Sequence, residues 1–217
     1  MAEIDDATVD AFTAIATPTL ANALDDLGLS GVMEGLTPMV HGLRCVGRAV
    51  TVLEVTGPKG SFDPKDFKVG EMIDAARPGD VVVVDNGGQP VSTWGGLASY
   101  AAKVKGIAGL VVDGGVRDRE EMEEFGFPVF ARHMVPTPGR TRIRVTALGE
   151  PVSCGGIRVR PGDLIVADGT GVICVPAEAA KEACALAARF TRDDRQAQDE
   201  LDAGLSFREA MAKFTRI

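Results

Sequence analysis

Apolar and polar positions fall into blocks along this chain, and short apolar runs alternate with segments of helical spacing. Three apolar runs rich in β-branched residues predict strands, and they are residues 46–56, 81–84 and 107–112. The second and third contain almost no polar positions, which is typical of strands covered on both faces. Further short strands are expected at 128–131 and over most of 141–175.

Helical spacing marks the segments between these strands. Leu97, Tyr100, Ala101 and Val104 recur at helical intervals, so a helix is predicted over 95–105 with Gly106 as its end. Other helices are predicted over 17–27, 71–76, 117–126 and from 177 through the charged tail that begins at residue 191. In the first of these, Thr17 is the expected N-cap and Pro18 the first helical residue.

The order of these elements indicates the fold class. From residue 81 to 131 the pattern reads β-α-β-α-β, which predicts parallel strands joined by crossover helices in an α/β fold. The tetrapeptide Arg-Pro-Gly-Asp occurs at 77–80 and again at 160–163, each time before an apolar run that ends in Asp. Proline and glycine favour a tight turn there, so the two segments are expected to have the same local structure.

Composition then limits the function. The chain has 217 residues, 45% of them apolar, which is sufficient for one domain with a buried core. Its formal charge of −8 argues against nucleic-acid binding, and the longest apolar run, 81–84, cannot cross a membrane. The first residues lack the pattern of a signal peptide, so a cytoplasmic protein is expected. The four cysteines have no metal-type spacing and are predicted to fill the core.

The candidate chemistry lies where predicted strands end, because α/β folds bind ligands there. No P-loop, dinucleotide fingerprint or nucleophile elbow is present. Asp85 ends one strand before the helix start Gly95–Ala98, and Asp113 ends the next before Arg117 and Asp118. Free amides at a helix start and an arginine both suit a carboxylate, and an aspartate suits Mg²⁺. This set suggests a metal-bound small 2-oxo acid.

The segment Trp94–Arg132 resembles the core of the RraA-like family, which includes 4-hydroxy-4-methyl-2-oxoglutarate and 4-carboxy-4-hydroxy-2-oxoadipate aldolases. The resemblance rests on Gly95-x-Leu97, on the passage from Ala102 to Asp113-Gly114, and on the pair Arg117-Asp118. The sequence Gly126-Phe-Pro-Val-Phe130 also fits, and looser similarity covers most of the chain.

The resemblance implies one domain over 1–217, with an αββα-type core of the swivelling β/β/α kind. It also implies a helical C-terminal arm from 191 that packs on a neighbouring subunit in a homotrimer or homohexamer. Its chemistry would be that of a class II aldolase, which cleaves a 4-hydroxy-2-oxo acid to pyruvate and also decarboxylates oxaloacetate. Asp118 would hold Mg²⁺ or Mn²⁺, and Arg117 would bind the substrate beside it. The main-chain amides of Gly95, Gly96, Leu97 and Ala98 would bind its carboxylate.

One position departs from the family pattern. Many members have an acidic residue where this chain has Gly96, and in aldolases that acid is associated with a proton-relaying water. A second acid is expected from a neighbouring subunit's C-terminal helix, where Asp194 and Glu200 are both candidates.

Three alternatives remain at this point. The first is a regulator that inhibits a ribonuclease by protein contact, which the acidic charge permits. The second is a methyltransferase, an old label for dimethylmenaquinone methyltransferase-like members of the family, and the lack of a nucleotide loop argues against it. The third is a lyase or hydratase that acts on another 2-oxo acid.

Overall fold

The computed structural model describes residues 4–214, which contain both helices and strands. The α-helices are α1 Asp6–Ala11, α2 Thr17–Asp26, α3 Val69–Ala75, α4 Gly96–Lys105, α5 Arg119–Phe125, α6 Ala180–Asp202 and α7 Phe207–Lys213. The strands are β1 Val32–Met33, β2 Thr37–Pro38, β3 Cys45–Thr56, β4 Val81–Asp85, β5 Ser92–Trp94, β6 Gly109–Val116, β7 Val129–Met134, β8 Ile143–Leu148, β9 Val152–Cys154, β10 Ile157–Val159, β11 Leu164–Asp168 and β12 Gly171–Val175.

A ten-stranded mixed sheet organises the chain, with the main order β1-β12-β11-β3-β4-β6-β7-β2. Strands β4, β6 and β7 run parallel, as the β-α-β-α-β pattern predicts, and β3 is also parallel to β4. Strand β5 adds to the end of β6, and β8 pairs with the far part of β3. Strands β9 and β10 form a separate hairpin.

The core has layers on both sides of β4, which explains its unbroken apolar sequence. Val82 and Val84 pack towards α3, α4 and α5, while Val81 and Val83 pack against side chains of β11 and β12. The opposite face of β11 and β12 is covered by α1, α2 and α6. The predicted α/β class with helices outside two β layers is therefore confirmed.

The two Arg-Pro-Gly-Asp segments make the same turn. Asp80 and Asp163 each accept a hydrogen bond of 2.8 Å from the main-chain N–H three residues earlier. Gly79 and Gly162 both have φ +84°, a conformation that favours glycine. The strands that follow, β4 and β11, lie on opposite sides of β3, so the repeat builds both neighbours of the central strand.

Strand β6 is longer than predicted, and its glycines are used for packing. The sequence predicts that this strand ends at Asp113, but β6 continues to Val116. A β-carbon at Gly114 would lie 2.7 Å from Cβ of Asn86, and one at Gly115 would lie 2.8 Å from the Val135 side chain. These glycines therefore let other segments approach the strand, and they do not end it.

Several element ends also differ from the predictions. Ala16 is the N-cap of α2, because the Thr17 N–H and hydroxyl both bind Asp168, at 2.8 and 2.7 Å. Helix α5 begins at Arg119, two residues later than predicted, and a 3₁₀ turn over Ala177–Ala179 precedes α6.

The cysteine prediction is confirmed. Cys45, Cys154 and Cys174 are buried, Cys184 is partly buried, and all four thiols are free. Burial raises the pKa of Cys45 to about 12, so this thiol is unreactive at neutral pH.

The C-terminal arm is helical, as predicted. Helix α6 runs through Asp202, a break follows at Gly204, and α7 extends to Lys213. Residues 215–217 of the predicted tail lie outside the described residues. Within the described chain, no helix is long and apolar enough to span a membrane. The assignment of 1–217 to one domain, with an arm on a neighbouring subunit, remains a prediction.

Asp113 ties β6 to two other parts of the fold. Its carboxylate accepts hydrogen bonds from Arg132 Nε at 2.6 Å and from the Gly155 N–H at 2.7 Å. Burial alone would raise the pKa of Asp113, but these bonds outweigh it and lower the pKa. The ionised form is therefore favoured in the folded chain.

We predict that Asp113→Ala lowers the free energy of unfolding by about 2 kcal/mol, because charged hydrogen bonds are lost. The deficit should be present above about pH 3.9, the ordinary aspartate pKa, and should shrink as pH falls through the lowered value. Urea unfolding at several pH values measures it. Asp74→Ala, which removes an exposed partner of Lys105, is the control and should cost less than about 1 kcal/mol. Equal losses for both variants would contradict the assignment.

Candidate functional site

The candidate site forms where β5 and β6 end side by side. Trp94 at the end of β5 pairs with Val116 at the end of β6, and the Arg117 N–H donates to the Trp94 carbonyl at 3.0 Å. The residues that follow are therefore neighbours in space. Gly95 and Gly96 begin α4, and Arg117 and Asp118 precede α5.

Asp118 has an unusual backbone conformation that directs its carboxylate away from its own helix. Its φ of 64° lies in the left-handed region, and its side chain makes no capping bond to α5. Instead, Oδ2 accepts the Gly96 N–H at 3.1 Å and lies 3.5 Å from Arg117 Nε. Asp118 thus caps the neighbouring helix α4. A strained non-glycine residue is commonly found at functional sites.

Two glycines make this arrangement possible. A β-carbon at Gly95 would overlap Asp118 Oδ2 and would lie 3.2 Å from Arg117 Nε. A β-carbon at Gly96 would lie 2.5 Å from Cδ of Glu121 and would overlap its carboxylate. The absence of side chains at both positions therefore allows the carboxylates of Asp118 and Glu121 to contact the start of α4.

A hydrogen-bond network fixes the start of α4 on β5. The Trp94 indole N–H donates to the Ser99 hydroxyl at 3.1 Å, and that hydroxyl donates to the Gly95 carbonyl at 3.0 Å. Ser92 donates its hydroxyl to the Trp94 carbonyl at 2.9 Å. These side chains are buried, so the orientation of α4 is set by the sheet.

The amides at the start of α4 divide into two groups. The Gly96 N–H is bound by Asp118, whereas the N–H groups of Leu97 and Ala98 have no acceptor among the described residues. First-turn amides point along the helix axis and carry partial positive charge. The Leu97 and Ala98 amides are therefore available for an anionic ligand, and both residues line the adjoining cavity.

The cavity at this point has a volume of about 510 Å³, which suits a small molecule. Its walls include 95–98, Arg117, Asp118 and Glu121, with Phe67, Val69, Ile73 and Trp94 as apolar components. Pro138, Gly139 and Arg140 also contribute to the lining. The cavity is therefore lined by two cationic side chains, Arg117 and Arg140. Arg140 makes no hydrogen bond or ion pair with any described residue, so its guanidinium is available to a ligand.

Glu54 is a buried carboxyl in contact with this wall. The Thr93 hydroxyl donates to one Glu54 oxygen, while the other oxygen has no partner. Burial raises the pKa of Glu54 to about 8, although the bond from Thr93 opposes the shift. The carboxyl is therefore mostly protonated at neutral pH.

Other acids that the sequence suggests are used differently. Asp85 accepts the N–H groups of Gly87 and Ser153, at 3.0 and 3.1 Å, and Asp113 binds Arg132. Neither aspartate lines the cavity. Within residues 4–214, no group of three or more His, Cys, Asp or Glu side chains could hold a metal. Of the acids that line this cavity, Asp118 has the most fixed position, because the Gly96 amide and Arg117 both contact its carboxylate.

The two C-terminal acids differ in their surroundings. Both carboxylate oxygens of Glu200 accept hydrogen bonds from Lys213 Nζ at 2.7 Å. The Gln196 side-chain amide also donates to Glu200. Burial, together with the charge of Asp193, raises the pKa of Asp194. Neither residue lines the cavity within one chain, so a contribution to a neighbouring subunit's site remains a prediction.

The structure brings the predicted residues Gly95–Ala98, Arg117 and Asp118 together around one cavity. Sequence reasoning missed Glu121, Arg140, Trp94 and Glu54. The position of Glu121, three residues after Asp118 in a helix, was a signal for the first of these. The others depend on contacts between distant segments.

We predict that Gly95→Ala destabilises the fold by about 1–3 kcal/mol, because the added carbon displaces Asp118 from α4. Gly70→Ala is the matched control, since a β-carbon there meets nothing within 4 Å. Alanine favours a helix over glycine, so this control should be stabilising by up to about 1 kcal/mol. Urea unfolding measures both values. A stabilising Gly95→Ala change would show that the close approach is unimportant.

Comparison with known proteins identifies the family of this chain. The model of the RraA-like family, described as Aldolase/RraA, matches residues 17–174. A Halalkalibacterium halodurans protein named "Putative 4-hydroxy-4-methyl-2-oxoglutarate aldolase" is 35% identical over 176 residues, which cover 81% of this chain and 78% of that protein.

Solved structures show the same similarity. An uncharacterised protein from Pseudomonas syringae pv. tomato superposes with a TM-score of 0.87 at 29% identity, and covers 97% of this chain and 99% of its own. Streptomyces coelicolor RraAS2, described as an unusual member of the RNase ES inhibitor RraA family, gives 0.82 at 27% identity, with 90% and 98% covered. The extent of the family match and the shared fold together show that this chain belongs to the RraA-like family.

Proposed function

We propose that this protein is a metal-dependent lyase that cleaves a 4-hydroxy-2-oxo acid to pyruvate and also decarboxylates oxaloacetate. The main support is the position of Asp118, which the Gly96 amide and Arg117 hold beside a cavity of suitable size. The aldolase name of the Halalkalibacterium relative is consistent with this class.

The donor set at Asp118 fits Mg²⁺ or Mn²⁺. Mg²⁺ is commonly held by one or two carboxylates, with water and substrate as the other ligands. Asp118 Oδ2 is engaged by Gly96 and Arg117, while Oδ1 makes no hydrogen bond within the described chain and is the available ligand atom. A bound divalent cation would supply positive charge beside the 2-oxo oxygen, where negative charge develops on carbon–carbon cleavage.

The surrounding residues account for substrate binding. The free Leu97 and Ala98 amides would bind the carboxylate next to the 2-oxo group, and the planar guanidinium of Arg117 would bind the oxygens beside it. Arg140 would pair with a second carboxylate at the other end of the substrate. The two arginines therefore favour a dicarboxylic 2-oxo acid.

Cleavage and decarboxylation share one requirement. Both leave a pair of electrons on C3 of pyruvate, delocalised onto the 2-oxo oxygen as an enolate. Arg117, placed at that oxygen, would stabilise the charge without moving during the reaction. One site can therefore serve both reactions.

Asp118→Ala should reduce pyruvate release from 4-hydroxy-4-methyl-2-oxoglutarate and from oxaloacetate by at least about 100-fold, because the ligand of the cation is lost. A coupled pyruvate assay with Mg²⁺, and with a chelator, measures both. Asp74→Ala, an exposed change elsewhere, is the control and should retain wild-type rates. Full activity of Asp118→Ala, or full activity with the chelator, would contradict the proposal.

The same assay addresses the alternatives. If no 2-oxo acid in a panel releases pyruvate, the regulator that binds a ribonuclease becomes the better explanation. Conversion of a different 2-oxo acid, without pyruvate, would favour the alternative lyase or hydratase.

We also propose that the chain acts in the cytoplasm as a homotrimer or homohexamer. The support for an assembly is the outer face of α4, where the side chains of Leu97, Val104 and Tyr100 are 81%, 71% and 51% exposed. The residues of α4 that pack inward are instead Gly96, Ser99 and Ala102. A second copy of the chain would remove this apolar stripe from water.

Val104→Glu should therefore convert the assembly to smaller species, because a charge cannot be buried at such a contact without a partner. Size-exclusion chromatography with light scattering measures the mass. Val32→Glu, at an exposed valine on β1, is the matched control and should leave the mass unchanged. An unchanged mass for Val104→Glu would show that this stripe is not an interface.

A further inference from the structure

Glu121 occupies the space that a side chain at residue 96 would need. A β-carbon on Gly96 would lie 2.7 Å from Cβ of Glu121 and would overlap the carboxylate. The Glu121 side chain therefore folds back over the start of α4. It also lines the cavity that contains Asp118 and the free amides of Leu97 and Ala98.

The other acids of α5 are placed differently. Glu123 and Glu124 do not line this cavity, and Glu120 lines a separate depression beside Arg117. Glu121 is thus the one glutamate of α5 whose carboxylate reaches the cavity. The partial positive charge at the start of α4 favours a carboxylate in this place.

The Glu121 carboxylate makes no hydrogen bond or ion pair with another side chain in the described part of the chain. Asp118 differs, because it is bound by Gly96 and Arg117. The Glu121 side chain is exposed, so its carboxylate can contact a substrate from the cavity side.

We propose that Glu121 is a catalytic base of the lyase, and this inference rests on the proposed function. Its carboxylate takes the proton of the substrate's C4 hydroxyl. The C3–C4 bond then breaks, the C4 oxygen becomes a carbonyl, and the bonding electrons pass to the pyruvate enolate. Protonated Glu121 returns the proton to C3, which gives pyruvate and restores the carboxylate. Atoms and charge balance with no further reactant.

This role separates the two reactions of the site. Oxaloacetate loses CO₂ to form the same enolate, but it has no hydroxyl proton to remove. Glu121→Gln keeps the size of the side chain and removes its basicity. The variant should lower the rate of aldol cleavage by at least about 100-fold, while CO₂ release from oxaloacetate stays close to the wild-type rate.

Two further variants control for charge and place. Glu124→Gln removes a charge from the same helix away from the cavity, and it should leave both rates unchanged. Gly96→Asp with Glu121→Gly moves the carboxylate from α5 to α4, because glycine removes the Glu121 β-carbon that would lie 2.7 Å from the new one. The double variant should recover at least about tenfold of the cleavage that Glu121→Gly loses, if the position of the carboxylate is what matters.

Mn²⁺ binding, followed by electron paramagnetic resonance, provides a readout apart from activity. Glu121→Gln should bind Mn²⁺ with wild-type affinity, whereas Asp118→Ala should lose it. If Glu121→Gln retains full cleavage, or loses both reactions together with Mn²⁺ affinity, Glu121 is not the base. If the wild-type chain cleaves no 4-hydroxy-2-oxo acid, the proposed function is wrong, and so is the role of Glu121 that rests on it. A cleaving wild type beside an unaffected variant overturns the role of Glu121 alone.

Discussion

The close approach of α4 to the end of β6 is the constraint on which the site depends. Helix α4 starts with two residues that lack side chains, so Asp118 and Glu121 reach its first turn. Asp118 adopts a left-handed backbone to make that contact and leaves its own helix uncapped. The hydrogen bond to Gly96 compensates, because it satisfies an amide at the helix start. In this chain, a side chain at Gly95 or Gly96 would have to displace the carboxylate of Asp118 or Glu121 from the start of α4.

The layered core explains why the site lies at this edge. Strands β4 and β6 are covered on both faces, so no cavity can form over their middle. Polar groups that need space are limited to the ends of the strands, where the chain turns towards a helix. Hydrogen bonds from Ser92 to Trp94 and from Trp94 to Ser99 connect the sheet to α4 and fix the orientation of this helix. The positions of the reacting groups therefore depend on buried hydrogen bonds several residues away.

Local patterns in the sequence were enough for much of this fold. The run at 81–84 and the helical spacing of 95–105 each reflect burial of one short segment, and both were predicted correctly. The continuation of β6 through Gly114 and Gly115 was not predicted, because consecutive glycines in a sequence usually indicate a turn. Only the folded structure shows that other segments pack against these two residues. Arg117 and Asp118 were found from strand-end logic and family resemblance. Arg140 reaches the cavity, and Glu54 reaches Thr93 in its wall, only through folding, and no local pattern marks either residue.

The buried carboxyl of Glu54 has a consequence for the chain as a whole. A group with a pKa of about 8 in the fold keeps its proton at neutral pH, whereas in an unfolded chain it is ionised. The formal charge of −8 therefore overstates the negative charge of the folded protein at pH 7 by nearly one unit. Folding at pH 7 takes up a proton from the solvent, so the measured enthalpy of unfolding includes the ionisation heat of the buffer. The contribution of Glu54 to stability then declines as pH rises from about 5 to 8, since over this range only the unfolded state releases the proton.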